Sequence, residues 1–249
     1  MVKSAMRESI KKGVVRIAPT HIDLALRRIN GMIEKDRTIS ILDIGGGSGE
    51  YWVKNEQLRG LIENQNIKVT IFDALIPISN QDSLLAYVQG EAPKDLIQLE
   101  DMSFDFVVAF DVIEHVSLEN GFLMLYAMER ISKLGAMIFT PNGFVYQRPE
   151  PGNPFNAHIS GWEPNVFKKF GWFGVRGHSG FKALFGIYGL PKYRSRNKHI
   201  NYLWIAFLLF SQLLVFRIPK YSYAISAFYT KRYDERVNLS RINQMGSDD

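Results

Sequence analysis

Apolar and polar positions alternate along this chain in blocks that predict helices and strands in turn. In HIDLALRRINGMIEK, residues 21–35, Ile22, Leu24, Leu26, Ile29 and Ile33 recur at mostly helical spacing, and Pro19 with Thr20 marks the start of a helix. TISILDI, residues 38–44, is too short for a helix and too continuous for a half-exposed edge, so it predicts a buried parallel strand. Further apolar runs follow at KVTIFDAL (68–75), LAYVQGEA (85–92), FDFVVAFDV (104–112) and GAMIFTPNG (135–143). Most of them close on Asp, Glu, Gly or Pro. LENGFLMLYAMERISKL, residues 118–134, supplies a helix between the last two. Strands alternating with helices predict an α/β fold, a parallel sheet wound with helices on both faces.

Beyond Pro141 the texture changes to aromatic residues, Gly and Pro. Ser160 three residues before Glu163 has the spacing of a capping box and predicts a short helix over 162–170. WFGVRG (172–177) and YSYAISAFYTKR (221–232) read as strands, the second the better one. Between them YLWIAFLLFSQLLVF, residues 202–216, falls short of the ~18 apolar residues of a spanning helix and contains Ser211 and Gln212. No internal repeat or low-complexity stretch interrupts the chain.

Composition narrows the picture. With 249 residues, 46% hydrophobic and 22% charged, the chain can bury one substantial core, so 1–249 is expected as a single domain. It is expected to divide into a helical segment (1–37), a core of alternating strands and helices (38–143) and a further region (144–249). That last region carries an apolar and basic insertion (178–220) and the last strand. There is no cysteine, which excludes disulfides, thiolate metal sites and cysteine nucleophiles. The first residues are basic without a continuous apolar stretch, so they do not read as a signal peptide, and a cytoplasmic location is the expectation. Net charge is +5, and from Leu190 onward ten basic residues stand against four acidic ones, so the positive field belongs to the C-terminal part.

The sharpest local signal is SILDIGGGSGEYW, residues 40–52. In an open parallel sheet, ligands sit beyond the carboxyl ends of the strands, where the first strand turns into its helix. Gly45, Gly47 and Gly49 make G-x-G-x-G; the third glycine of the dinucleotide fingerprint would be Glu50. A glutamate at a helix N-terminus opposes a pyrophosphate, so a ligand without phosphates fits and a nucleotide-dependent dehydrogenase is disfavoured. Asp43, Asp73, Glu91 and Asp111 come at the ends of successive strands, and their carboxylates are expected to converge on one rim. Asp73 is placed for a ribose diol, Glu91 and the Ala92 amide for an exocyclic amine and a ring nitrogen, and Asp43 with the glycine amides for an amino-acid moiety. The alternative for each carboxylate is a helix cap.

ILDIGGGSGE, IFDA, VQGEA and FDFVVAFDVIEHV, in that order, resemble the motifs of class I S-adenosylmethionine-dependent methyltransferases over residues 40–143. The resemblance implies a doubly wound, mostly parallel seven-stranded sheet with a reversed last strand. It implies S-adenosylmethionine as cofactor, held by Asp43, Gly45, Gly46, Gly47, Gly49, Asp73, Ala74, Glu91, Ala92, Phe110 and Asp111. FDVIEHV, followed by a helix and a strand ending in TPNG, is similar to biosynthetic small-molecule methyltransferases. NPFNAHISGWEP is similar to members associated with sugar or glycan modification. The chain departs from the pattern at Glu91, often Asp in relatives, and in an enlarged region between the last two strands.

Methyl transfer from a sulfonium needs in-line positioning and exclusion of water, with a base only for a poorly acidic acceptor. His115, close to the cofactor, and His158, in the loop expected to arch over the sheet's ligand edge, are the candidate bases; each also has a purely structural alternative. No metal ligand set is assigned. The absence of cysteine and of an Asn/Asp-Pro-Pro-aromatic segment disfavours nucleic-acid bases as acceptors. The expected reaction is O-methylation of a small molecule, sugar or glycan- or lipid-linked precursor. The alternatives are a quinone or isoprenoid lipid as acceptor, and a catalytically silent cofactor-binding module acting through its basic C-terminal region. Residues 202–216 with Lys198, Arg217 and Lys220 around them allow peripheral contact with an anionic membrane, against a packed helix or lid.

Overall fold

A computed structural model of the chain describes residues 19–33, 37–76, 81–149, 151–181, 207 and 210–231. The chain opens with helix α1 (His21–Met32), which a reciprocal cap starts: Thr20 Oγ1 accepts the Asp23 N–H, and the Thr20 N–H donates to the Asp23 carboxylate. Ala25, Leu26 and Ile29 bury its inner face. Strand β1 (Ile39–Ile44) leads through the glycine turn into the short helices α2 (Glu50–Lys54) and α3 (Glu56–Glu63). Strands β2 (Ile67–Asp73), β3 (Ala86–Gln89) and β4 (Phe104–Phe110) come next. Helix α4 (Leu118–Ile131) runs straight into β5 (Ser132–Pro141), so it ends earlier than its apolar pattern predicts. Helix α5 (Pro164–Lys169), β6 (Phe173–Phe181), a helical stretch at 210–217 and β7 (Ser222–Thr230) complete the described chain.

The seven strands form one sheet in the order β3-β2-β1-β4-β5-β7-β6. β1 pairs in parallel with both β2 and β4, which makes it the buried strand its unbroken apolar run predicts, and β7 enters antiparallel between β5 and β6. One core layer packs α4, Trp162, Phe167 and Trp172 on one face of the sheet; the other packs α1, Trp52, Leu58 and Ile62 on the opposite face. The strand order turns back at β1, with β2 on one side and β4 on the other. At such a switch point the loops leaving two neighbouring strands diverge and open a crevice.

Two expectations for the region after β5 are corrected. Ser160 does not cap a helix: its hydroxyl donates to Ile113 O and accepts the Trp162 indole N–H at 2.9 Å, and α5 begins instead at Pro164, whose fixed φ suits the first helical position. The strand expected over 172–177 runs on to Phe181, so β6 takes in the start of the predicted insertion. Of the apolar run at 202–216, the structure describes only 207 and 210–216; the rest lies outside the described residues. There Ser211 and Val215 are buried, and Gln212 bonds Gly177 O and Gly180 N of β6, while Phe210 and Leu214 stay exposed. Among the described residues no helix is long and apolar enough to cross a membrane.

Candidate active site

A cavity of about 280 Å³ opens at the switch point, beyond the carboxyl ends of β1, β2, β3 and β4. Gly45, Gly47, Asp73, Ala74, Glu91, Ala92, Asp111 and His115 all line it, so most of the residues assigned from sequence come together around one cavity. The loop after β5 contributes Asn153, Phe155 and Asn156. Among the described residues no lysine or arginine lines the cavity, and its charged side chains there are Asp73, Glu91 and Asp111.

The glycine turn has this shape because side chains would collide with its floor. Gly45 sits at φ +72°, and a Cβ on it would overlap Val112 at the end of β4. A Cβ on Gly46 would overlap the Asp43 carboxylate beneath. Asp73 fastens the turn from the side: its Oδ2 accepts the Gly47 N–H and its Oδ1 the Leu75 N–H, both at 2.8 Å.

Four residues assigned to the cofactor do not line this cavity. Asp43 is 1% exposed and supports the turn from below rather than facing the cavity, its Oδ2 accepting the Trp52 indole N–H at 2.9 Å. Burial pushes its carboxyl up to about 7, with Trp52 and Tyr51 pulling it back down and Asp73 pushing it further up. Its Oδ1 and the Tyr51 hydroxyl are both buried without a well-formed hydrogen bond. Phe110 turns to the α1 side, where its ring meets His21 at 5.2 Å and Tyr51 at 5.8 Å between centroids. Gly49 is the N-cap of α2, and Gly46 faces a neighbouring groove formed with Ile22, Glu50, Tyr51 and Lys54.

At the other end of the cavity, Asp111 stands in the left-handed region at φ +53° and is solvent-accessible within the cleft, whose walls push its carboxyl up to about 6. Ile113–His115 form a single tight turn after β4. The loop carrying His158 is sewn to that turn: Glu114 O accepts the N–H groups of Ile159 and Ser160, and Ile113 O accepts from Ser160 Oγ and from the Trp162 indole. His115 Nδ1 donates to Ala157 O at 3.1 Å, and His158 Nδ1 donates to Val145 O at 2.6 Å. The two rings meet edge to face at 4.7 Å. Burial lowers the His115 pKa, the Ala157 carbonyl opposing that shift and the His158 ring adding to it. His115 lines the cavity, and His158 stands behind it with a side chain 7% exposed.

Glu114 was not singled out from sequence. Its side chain is 2% exposed; Oε2 accepts the Thr140 hydroxyl at 2.8 Å, while Oε1 has no hydrogen-bond partner. Burial pushes its carboxyl up to about 8. The spacing Glu114-His115, with a further histidine in the proline-broken loop, is the pattern that could have flagged it.

The donor set fits an S-adenosylmethionine molecule. Acidic side chains without a basic partner favour a cation carrying hydroxyls over a pyrophosphate, and the glycine turn leaves backbone close to the ligand. Comparison with known proteins agrees. Residues 42–140 match the family model of a methyltransferase domain. The ubiquinone biosynthesis O-methyltransferases of two Rickettsia bellii strains, OSU 85-389 and RML369-C, are each 29% identical over 156 residues, covering 60% of this chain. The chain spans 61% of the length of those curated relatives. A methyltransferase structure from Archaeoglobus fulgidus, described as SAM-dependent, superposes with a TM-score of 0.50 at 17% identity, covering 87% of this chain and 97% of the other, and shows a shared fold.

Proposed function

Since the chain carries a methyltransferase domain of the class I S-adenosylmethionine-dependent family, we propose that it methylates a hydroxyl oxygen on a small organic acceptor. The observation that carries the reading is one cavity lined by the glycine turn, the carboxylates Asp73, Glu91 and Asp111 and no lysine or arginine among the described residues, together with His115, Asn153 and Asn156. The cofactor supplies a methyl group already activated on a sulfonium. The chain has to hold the acceptor in line and keep water out.

The residues divide that work. Asp73 and the Gly45–Gly47 turn fix the amino-acid and ribose end, and Glu91 with Ala92 borders the adenine end. Asp111 and His115 are the groups that face the acceptor oxygen, and Phe155 with Val116 gives the lining beside them an apolar surface. In the transfer the O–H bond of the acceptor breaks, its oxygen forms a bond to the methyl carbon, and the methyl–sulfur bond breaks with its electron pair staying on sulfur. His115 is largely neutral at pH 7, because burial lowers its pKa, and can hydrogen-bond the acceptor hydroxyl or take its proton.

For the acceptor we favour a phenolic hydroxyl of the quinone or isoprenoid class over a sugar. The names of the two Rickettsia relatives support it. So do the exposed Phe207, Phe210 and Leu214 with Arg217 and Lys220 nearby, which suit a lipid surface as the place where such an acceptor is met. The test supplies labelled S-adenosylmethionine with hydroxylated phenols bearing short prenyl chains, and separately with sugars. Label in the phenol is the expected result; label only in sugars would overturn the acceptor class, and none in any hydroxyl compound would overturn O-methylation. Flotation with anionic vesicles tests the surface contact, and absence of association would remove it.

A further inference from the structure

The described residues contain a cluster that the methyl transfer derived above leaves partly unused. Glu114, His115 and His158 bring one donor atom each within 4.8 Å of one another. Three features make this more than a chance meeting of polar groups. Glu114 Oε1 is a buried carboxylate oxygen with no hydrogen-bond partner, in a side chain only 2% exposed. His158 Nε2 is the group it faces, at 4.0 Å, too far for a hydrogen bond. And each imidazole donates Nδ1–H to a backbone carbonyl, Ala157 O for His115 and Val145 O for His158. A carbonyl can only accept, so Nδ1 carries the proton, and in the neutral ring Nε2 presents its lone pair. Carbonyl-oriented imidazoles around a carboxylate are the outer-shell arrangement that metal-binding histidines use.

We propose that Glu114, His115 and His158 hold a divalent first-row cation of the Mn²⁺, Co²⁺ or Zn²⁺ kind at the acceptor end of the cleft, with its remaining positions turned to the acceptor hydroxyl. Two imidazoles and a carboxylate, without thiolate, match that group of ions better than Ca²⁺ or Mg²⁺. Donors about 2.1 Å from a shared ion stand about 3.0–3.4 Å apart in octahedral or tetrahedral geometry, so the 4.0 Å pair and any wider one close onto the ion by side-chain shifts of about 1 Å. The rigid tie between the two segments, through Glu114 O to Ile159 and Ser160, holds the carboxylate and His158 in place before the ion arrives. His115 lines the cavity, so the ion reaches the acceptor on that side. Such an ion polarises a hydroxyl and lowers its pKa, the help a poorly acidic acceptor needs, and with it bound His115 Nε2 is a ligand, so the ion takes the place of His115 as the group that assists the hydroxyl. That role rests on the methyltransferase reading; the binding of the ion does not.

The full-length protein, freed of metal by a chelator, is titrated with Co²⁺ and followed by visible absorption, while S-adenosylhomocysteine binding is measured by calorimetry on the same preparation. One equivalent of Co²⁺ with nitrogen and oxygen ligation is expected. His158→Ala and Glu114→Gln should each weaken it by more than about 100-fold, beyond what loss of an outer-shell partner causes, and Glu91→Gln at the other end of the cavity should leave it unchanged. Should Glu114→Gln fail to fold, His158→Ala in its loop decides, with retained S-adenosylhomocysteine binding as proof of an intact fold. Co²⁺ that does not bind, or that binds His158→Ala as tightly as the parent, overturns the site. S-adenosylhomocysteine binding without Co²⁺ binding overturns the site and leaves the methyltransferase reading standing; Co²⁺ binding without S-adenosylhomocysteine binding supports the site and removes that reading.

Discussion

Asp73 Oδ2 accepts the Gly47 N–H at 2.8 Å, so the end of β2 holds the turn that leaves β1. The same carboxylate takes the Leu75 N–H through its other oxygen, and one side chain thereby positions both loops at the switch point while remaining on the cavity wall.

Removing that carboxylate should loosen the turn and take away a ligand contact together. A hydrogen bond to a charged group contributes about 1.5–3 kcal/mol, so Asp73→Ala is expected to weaken S-adenosylhomocysteine binding about 10- to 100-fold. Calorimetry checks this; an unchanged affinity would place the nucleoside elsewhere.

Asp43 should give the protein a pH-dependent stability that Asp43→Asn removes. Its carboxyl is raised by burial to about 7, against 3.8 for an ordinary aspartate. Between those values the folded state holds a proton that the unfolded state has released, so the site's contribution is complete below about 4 and is lost as pH rises through 7. The slope is at most about 1.4 kcal/mol per pH unit. The asparagine oxygen still accepts from Trp52, so the variant should gain on the parent as the pH is raised from 5 to 8. Urea unfolding at the two pH values measures it, and parallel curves would count against a protonated Asp43.

The buried histidines should act in the opposite sense. His21, stacked on Phe139 at 3.8 Å, is lowered by burial to about 4, and His178, bonded to Ser226 Oγ at 2.9 Å, is lowered by burial to about 3. Unfolding lets both bind protons at 6.5, so stability should fall as pH drops from about 6.5 toward 4. His178→Gln is expected to flatten that acid limb, read by thermal melts across the range.

Gly121→Ala tests the attachment of the loop over the cavity. A Cβ there would overlap the Trp162 indole, which is fully buried and bonded to Ile113 O and Ser160 Oγ. Alanine gains about 1 kcal/mol in helix propensity but overpacks a filled site, at a cost of about 1–3 kcal/mol. A net loss of about 1 kcal/mol is expected in urea unfolding, with lower turnover because Trp162 and His158 share that loop.

His158→Ala should lower turnover by about 100-fold or more, the usual range for a positioned acid–base or ion-holding side chain, with S-adenosylhomocysteine affinity kept within about twofold. His158 stands behind His115 and off the cavity wall, so it acts without touching the cofactor; a change in cofactor affinity instead would mark it as a structural support of the whole cleft.

Much of this was legible in the chain because the relevant forces are local. The unbroken apolar run at β1, the glycine turn after it, and the carboxylates Asp73, Glu91 and Asp111 at strand ends need only a parallel sheet to bring them to one rim. The start of α1 was legible in Thr20 and Asp23, three residues apart. The capping spacing of Ser160 and Glu163 misled because a hydroxyl has several possible partners, and Ile113 O and Trp162, neither visible from local spacing, took it.

Sequence alone, then, determined the alternation of elements, the class of fold and the convergence of Asp73, Glu91 and Asp111 on one cavity, because strand and helix periods and the handedness of their connections leave few arrangements. Only the tertiary structure decided which way each side chain near it turns: Asp43 downward to Trp52, Phe110 toward α1, and Glu114 inward to His158. Those directions depend on packing between segments distant in sequence. A buried carboxylate shows its missing partner only once the chain has closed around it.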